Sequence, residues 1–273
     1  ESSTLSLHAA LPSWRDRIAL LPRRSRTTKA GPPRGSRAEA SEEEAEARLM
    51  LPYTGNQPRK RHAVLAVNLQ GGSGFEIWQY KGREPLMKKE EIVLGDTGIL
   101  VCKMKTKNVS AAYTLLKGKG SVLLNEPSDD PAGNKTFFMK DPFGNLFQLT
   151  EGKDWFMNEG KITGGPSGAI IGVTDIEKAR TLYSDILGYN EVVYDATSVF
   201  PDLAGLPGGN DRVRRVLLKS QEPFSGPFSR MFGQSMMELI CNPGNPGSKT
   251  YEGRLWGDPG FIHLCFDIIG MDD

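Results

Sequence analysis

Near its end the chain alternates strictly: Ile262, Leu264, Phe266 and Ile268 fall on one face, and His263, Cys265 and Asp267 on the other. A period of two marks a strand with one buried face. Apolar runs of strand length recur at 64–69, 75–80, 99–105, 121–124, 136–139 and 146–150, and again at 169–173, 191–194, 213–218 and 236–241. Two segments switch to helical spacing. Asn108 can cap a helix with Val109, Ala112, Tyr113 and Leu116 on one face, stopped by Gly118 or Gly120. Residues 174–177 have capping-box spacing, with Thr174 as the cap and Glu177 reaching back. Ala179, Leu182, Tyr183 and Ile186 follow at helical intervals before Gly188. Asp141-Pro142-Phe143-Gly144-Asn145 reads as a turn feeding the next strand.

The order strand, helix, strand, strand, strand therefore runs from 169 to 241, and the stretch 260–268 begins it again. Upstream, 64–80 supplies strands and 99–150 a strand, a helix and further strands. Two stretches read alike: Gly98-Ile99-Leu100-Val101-Cys102-Lys103-Met104 and Gly260-Phe261-Ile262-His263-Leu264-Cys265-Phe266, with Val101 in the first where the second has His263. A lone glutamate sits in an otherwise apolar strand twice, at Glu76 and Glu238. A buried carboxylate without a partner is costly, so Glu238 calls for a cation or a hydrogen-bond donor. Repeats this long, with mixed strand and helix, indicate duplicated domains rather than a solenoid. The expected class is α+β, built from tandem βαβββ units.

Composition narrows the field without naming a chemistry. A chain of 273 residues with 38% hydrophobic and 25% charged positions can bury a core and hold roughly two domains. The formal net charge of +1 gives no global electrostatic case for nucleic acid or an acidic membrane. No apolar run is long enough to span a bilayer. The cysteines, Cys102, Cys241 and Cys265, are three in number and lie in apolar strands, which favours free thiols in a reducing, cytoplasmic setting. His62, beside Lys60 and Arg61, reads as a solvated strand residue.

The N-terminal stretch differs in kind. Arginines interleaved with Ser, Pro and Gly up to Arg37 give way to Ser41-Glu42-Glu43-Glu44, with too few periodic apolar residues to offset the entropy of ordering. The first twelve residues resemble a peptide encoded by sequencing-adapter DNA. Residues 1–52 are therefore expected to be a disordered or artefactual tail.

Several motifs together carry a family resemblance: the run from Gly172 through Arg180, the run Tyr183-Ser184-Asp185-Ile186-Leu187-Gly188-Tyr189, the run Lys140-Asp141-Pro142-Phe143-Gly144-Asn145-Leu146-Phe147-Gln148-Leu149, and the stretch bearing His263. They resemble the vicinal oxygen chelate superfamily, which includes glyoxalase I, extradiol dioxygenases and bleomycin-resistance proteins. The resemblance spans about 53–273. It implies two incomplete glyoxalase-like modules, 53–152 and 166–273, joined by a linker at 153–165.

In this family two units curl into a cup whose four inward strand positions typically hold a divalent metal. Carried over by position, the downstream module has Gly168, Glu238 and His263 at the first three sites, and the fourth falls past Asp273. The upstream module has Glu76, Val101 and Gln148 at the second, third and fourth. Val cannot ligate and Gln is a poor ligand, so that cup is expected to be metal-free. The resemblance makes Glu238 and His263 the expected metal ligands, with Glu238 also the proton-transfer base. A hydrogen-bonded Glu238–His263 pair without metal is the alternative.

The implied function is a metal-dependent lyase or isomerase of glyoxalase type acting on a small oxygenated substrate. A non-catalytic, bleomycin-resistance-like small-molecule binder is the second reading, and a scaffold acting through homo-oligomer contacts the third.

Overall fold

The computed structural model describes residues 4–10, 37–46, 48, 50–88, 90–222, 226 and 228–267. In chain order the strands and helices are β1 (Thr4–Ala10), β2 (Arg37–Glu46), β3 (Lys60–Asn68), β4 (Gly74–Tyr80), β5 (Gly98–Thr106), α1 (Val109–Gly118), β6 (Val122–Leu123), β7 (Ser128–Asp129), β8 (Lys135–Lys140), β9 (Leu146–Glu151), β10 (Thr163–Gly172), α2 (Ile176–Arg180), β11 (Glu191–Ser198), β12 (Val213–Lys219), α3 (Ser229–Phe232), β13 (Met236–Cys241) and β14 (Gly260–Asp267). The class is α+β, as the sequence implied. Much of the expected tail, 1–52, lies outside the described residues; within it, β1 and β2 are placed as strands of the smaller sheet.

Two βαβββ units share one large sheet. Its order is β11-β12-β13-β10-β5-β9-β8-β6, with β7 attached to β8. The first strands of the two units, β5 and β10, meet antiparallel at its centre. The stretch read as a linker therefore ends inside β10, which begins at Thr163, and the units it was to separate are continuous through hydrogen bonds. The second sheet has the order β14-β1-β4-β3-β2. It brings the strand that begins a new unit, β14, into the same sheet as the strands upstream of Gly98.

The repeat seen in sequence extends to backbone detail. Val101 and Ile99 pair with consecutive residues of β10, so Leu100 is an extra residue in β5. His263 and Phe261 pair with consecutive residues of β1, so Ile262 is the extra residue in β14. A bulge of this kind shifts the face of everything beyond it. Ile99, Cys102 and Met104 thus join the main core, and Phe261, Leu264 and Phe266 do the same from β14. Val101 and Lys103 face the other way in β5, as His263 and Cys265 do in β14.

That main core lies under α1 and α2, around Phe137, Phe147, Leu149, Ala169, Tyr189, Leu218, Met237 and Leu239. Asn108 caps α1 as expected, accepting from Ala111 N at 2.8 Å, and Val109, Ala112 and Leu116 are buried. α2 departs from expectation in two ways. Its cap is Asp175, one residue after Thr174, accepting from Lys178 N at 3.1 Å. The helix then widens into a π turn over Thr181–Ile186, closed by Leu187 N bonding Leu182 O. The wider turn carries Ile176, Ala179, Tyr183 and Leu187 inward and leaves Leu182 and Ile186 exposed.

Two buried carboxylates staple the 81–97 segment to the 242–260 segment. Asp258 accepts from Leu86 N at 2.7 Å and Leu255 N at 2.8 Å, and pairs with Arg83 at 2.6 Å. Asp96 accepts from Val93 N at 3.1 Å and Ser248 N at 2.9 Å, and pairs with Lys88 at 3.0 Å.

Candidate metal centre and a self-neutralised cup

The large sheet curls around a buried group of charges. Glu238 on β13 is fully buried. Its Oε1 accepts from Arg215 Nε at 2.6 Å, and its Oε2 lies 2.6 Å from Lys103 Nζ. Lys103 also donates to Gln148 Oε1 at 2.6 Å. Arg215 Nη1 forks onto both oxygens of Asp202, at 2.8 and 2.9 Å, and its Nη2 lies 3.4 Å from the Tyr194 hydroxyl. The guanidinium also stacks over Phe200, 4.8 Å from the ring centroid.

Burial would raise the Glu238 carboxyl, but the opposing charges of Arg215 and Lys103 win and hold it down to about 2. The Tyr194 phenol moves upward, first by burial and then by the nearby Glu238 charge. Asp202 is raised by burial, against the pull of Arg215.

The same cup is filled by its own loop. Phe200, Leu203 and Leu206, from the connection between β11 and β12, pack against Leu100, Val101, Ile170 and Ile240. Asp202 on that loop supplies the second carboxylate to Arg215. Gly168, the expected first ligand site, has φ +151°, and a Cβ added there would fall on the carbonyl oxygen of Met236. The cup centre does not fit a divalent ion. An ammonium already sits between Glu238 and Gln148, and the two buried cations are matched by two carboxylates.

This arrangement corrects the expected site. Glu238 and His263 lie in different sheets, and Glu238 is held by Arg215 and Lys103 rather than by His263. Val101 is a core residue, as a non-ligating position requires, but Glu76 does not share a cup with Gln148. Glu238, closed off from solvent and held as an anion by two cations, is not placed to serve as a base. The sequence reading missed Lys103, Arg215 and Asp202. The available signal was Lys103 and Lys105 at alternate positions of an apolar strand, one of them opposite a lone buried glutamate.

His263 belongs to the smaller sheet, where Glu76, His263 and Cys265 each offer one donor atom and these atoms all lie within 4.8 Å of one another. The imidazole is stacked on Trp256, with ring centroids 4.9 Å apart, and meets Trp78 edge-on at 5.9 Å. His62, on β3 of the same sheet, is 8% exposed, so it is a buried residue of an interior strand and not a solvated one. Cys265 is pushed up to about 11, first by burial and then by the Glu76 charge.

The registers of the two sheets correspond. In the large sheet, Ile170 is paired with both Val101 and Glu238. In the small sheet, the backbone of residue 8 is paired with both Glu76 and His263. Glu76 and His263 therefore stand where Glu238 and Val101 stand in the larger cup. Carboxylate, imidazole and thiol together suit a borderline divalent cation such as zinc, and half-buried donors within a few ångströms of one another fit that chemistry.

Residues 21–149 match the family model described as the Glyoxalase/Bleomycin resistance protein/Dioxygenase superfamily. That stretch, a little under half of the chain, thus resembles a domain of this superfamily. The structure matches glyoxalase I from Zea mays at 14% identity over 89% of this chain and 69% of that one, with a TM-score of 0.47. A glyoxalase family protein from Bacillus cereus matches at 13% identity over 54% of this chain and 91% of that one, with a TM-score of 0.40. Methylmalonyl-CoA epimerase from Streptomyces coelicolor matches at 16% identity over 54% of this chain and 96% of that one, with a TM-score of 0.32. No curated protein sequence matches the chain. Among the described residues no helix is long and apolar enough to cross a membrane.

Proposed function

We propose that the protein is a metal-dependent enzyme of glyoxalase type, a lyase or isomerase acting on a small oxygenated substrate in the cytoplasm, with its metal held by Glu76, His263 and Cys265. The observation that carries this reading is the convergence of those three donors, at the register positions that Val101, Lys103 and Glu238 hold in the other cup. A bound divalent cation polarises substrate oxygens and stabilises negative charge developing on them. Glu76 supplies the anionic donor. His263 supplies a nitrogen whose ring plane is fixed by Trp256 and Trp78. Cys265, a neutral thiol at pH 7 on its own, gives up its proton when it ligates.

Cobalt(II) titration tests the assignment independently of turnover. The expected result is one equivalent bound, with a thiolate-to-cobalt absorption band that disappears in Cys265→Ser. His263→Ala is expected to weaken binding at least tenfold. Equal binding by His263→Ala and the parent would refute the site.

The filled cup of the large sheet favours one second reading, a small-molecule binder without turnover. Retention of a ligand by protein stripped of metal, with no product formed on metal addition, would select it.

A further inference from the structure

A cavity of about 340 Å³ opens beside the filled cup. It is bounded by the start of β5, the Asp141–Asn145 turn, the loop that plugs the cup, and the segment from Thr250 to the start of β14. This volume falls at the lower end of pockets that enclose small molecules, roughly 300–1,000 Å³. None of its lining residues is Glu76, His263 or Cys265.

The cavity is lined by apolar side chains and by charged ones, Glu90 and Glu91 among the latter. Ile99, Phe143, Leu146, Leu206 and Phe261 are among the apolar ones. Lys88, Lys140 and Arg254 are its cations. Two of these are already matched: Lys88 pairs with Asp96 at 3.0 Å and Lys140 with Glu91 at 2.6 Å. Arg254 is different. Its Nη1 donates to Pro259 O at 2.7 Å and its Nη2 to Thr250 O at 2.5 Å, and it stacks over Tyr251 at 4.4 Å. Carbonyl oxygens and a ring fix the guanidinium in place without cancelling its charge. Among the described residues no carboxylate lies within ion-pair distance of it. A guanidinium has five donors, so further N–H groups remain to be satisfied. An anchored cation with no matching anion, on the rim of an apolar cavity, is preorganised for an anion that brings an apolar body with it.

We infer that this cavity binds a small organic carboxylate, its anionic end on Arg254 and its apolar body against Phe143, Leu146, Leu206 and Phe261. The inference does not depend on the metal site. Lys140, paired with Glu91, lines the same cavity and adds attraction for an anion.

The test uses the full chain stripped of metal, with two matched probes: 4-(trifluoromethyl)benzoate and its neutral counterpart 4-(trifluoromethyl)benzamide, titrated by fluorine NMR. The benzoate is expected to bind at least tenfold more tightly than the benzamide. Arg254→Gln is expected to remove that difference. Because Arg254 also ties its own loop, Lys140→Gln serves as the second variant. It leaves the 250–260 segment untouched and is expected to weaken benzoate severalfold while leaving benzamide unchanged. Equal binding of the two probes by the parent would overturn the inference. So would an undiminished preference for benzoate in a folded Arg254→Gln protein, or identical benzoate binding by Lys140→Gln and the parent.

Discussion

Replacing Lys103 by Met tests the claim that an ammonium holds the large cup together. The Nζ atom is 2.6 Å from both Glu238 Oε2 and Gln148 Oε1, and the lysine side chain is 3% exposed. Met preserves most of the volume, so packing loss is minor. What remains is a buried carboxylate oxygen and a buried amide oxygen that have lost their donor. Breaking a buried pair by removing one partner costs about 3–5 kcal/mol. For a domain of this size each kcal/mol moves Tm by about 2–4 °C, so Lys103→Met is expected to lower Tm by about 6–20 °C. Far-ultraviolet circular dichroism and tryptophan fluorescence should report the same transition.

The double variant makes the argument specific. Glu238→Gln removes the charge that Lys103→Met leaves behind, and keeps an oxygen for Arg215. The double substitution is therefore expected to cost less than the sum of the singles, by about 1–3 kcal/mol. A Lys103→Met protein that melts within about 2 °C of the parent would refute the reasoning, as would strict additivity of the pair.

Further expectations follow from neighbouring groups. Glu238 titrates at about 2 in the folded chain against 4.5 ordinarily, so its stabilisation, roughly 3 kcal/mol, is present above pH 4.5 and is lost as pH falls toward 2. Acid unfolding followed by fluorescence should flatten across that window in Glu238→Gln. The raised carboxyl of Asp202 works in the opposite sense and trims the effect. Gly168→Ala places a Cβ against Met236 O at a positive φ and is expected to cost at least about 1–3 kcal/mol by thermal melt. Asp258→Ala removes the acceptor for two backbone N–H groups and the partner of Arg83, and is expected to speed limited proteolysis within 81–88.

The elements themselves were legible in the sequence wherever period and punctuation agreed. α1 was readable because Asn108, the spacing of Val109, Ala112 and Leu116, and a terminal glycine all pointed one way. The Asp141 turn was readable because an Asp side chain can bond the backbone ahead of it, and Asp141 Oδ1 does accept from Phe143 N and Asn145 N, both at 2.8 Å. The outward turn of Leu182 and Ile186 was not, since a π turn breaks the 3.6 period that defined the face. The partnership of strands was also hidden. Period-two patterns say which face of a strand is buried but not which unit lies beside it. The likeness between the His263 strand and the Val101 strand was visible in the sequence, and each strand carries a bulge at the matching place, but proximity of His263 to Glu238 did not follow from it.

The duplicated strands show why the two cups differ in chemistry while sharing a frame. Each keeps its bulge, at Leu100 and at Ile262, and each turns two side chains away from the main core: Val101 and Lys103 in one, His263 and Cys265 in the other. In the first, Val101 joins the apolar packing beneath the plug loop. Lys103 supplies a tethered cation, which Glu238 neutralises as Asp202 neutralises Arg215. A divalent ion entering there would have to displace a covalently anchored ammonium and leave two positive charges uncompensated, a cost no first-sphere bond to Gln148 offsets. In the second, the equivalent side chains are an imidazole and a thiol beside a carboxylate, a donor set that suits a borderline divalent cation. Two substitutions on one strand, Val101 against His263 and Lys103 against Cys265, thus separate a cup that carries its own cation from one suited to recruit one.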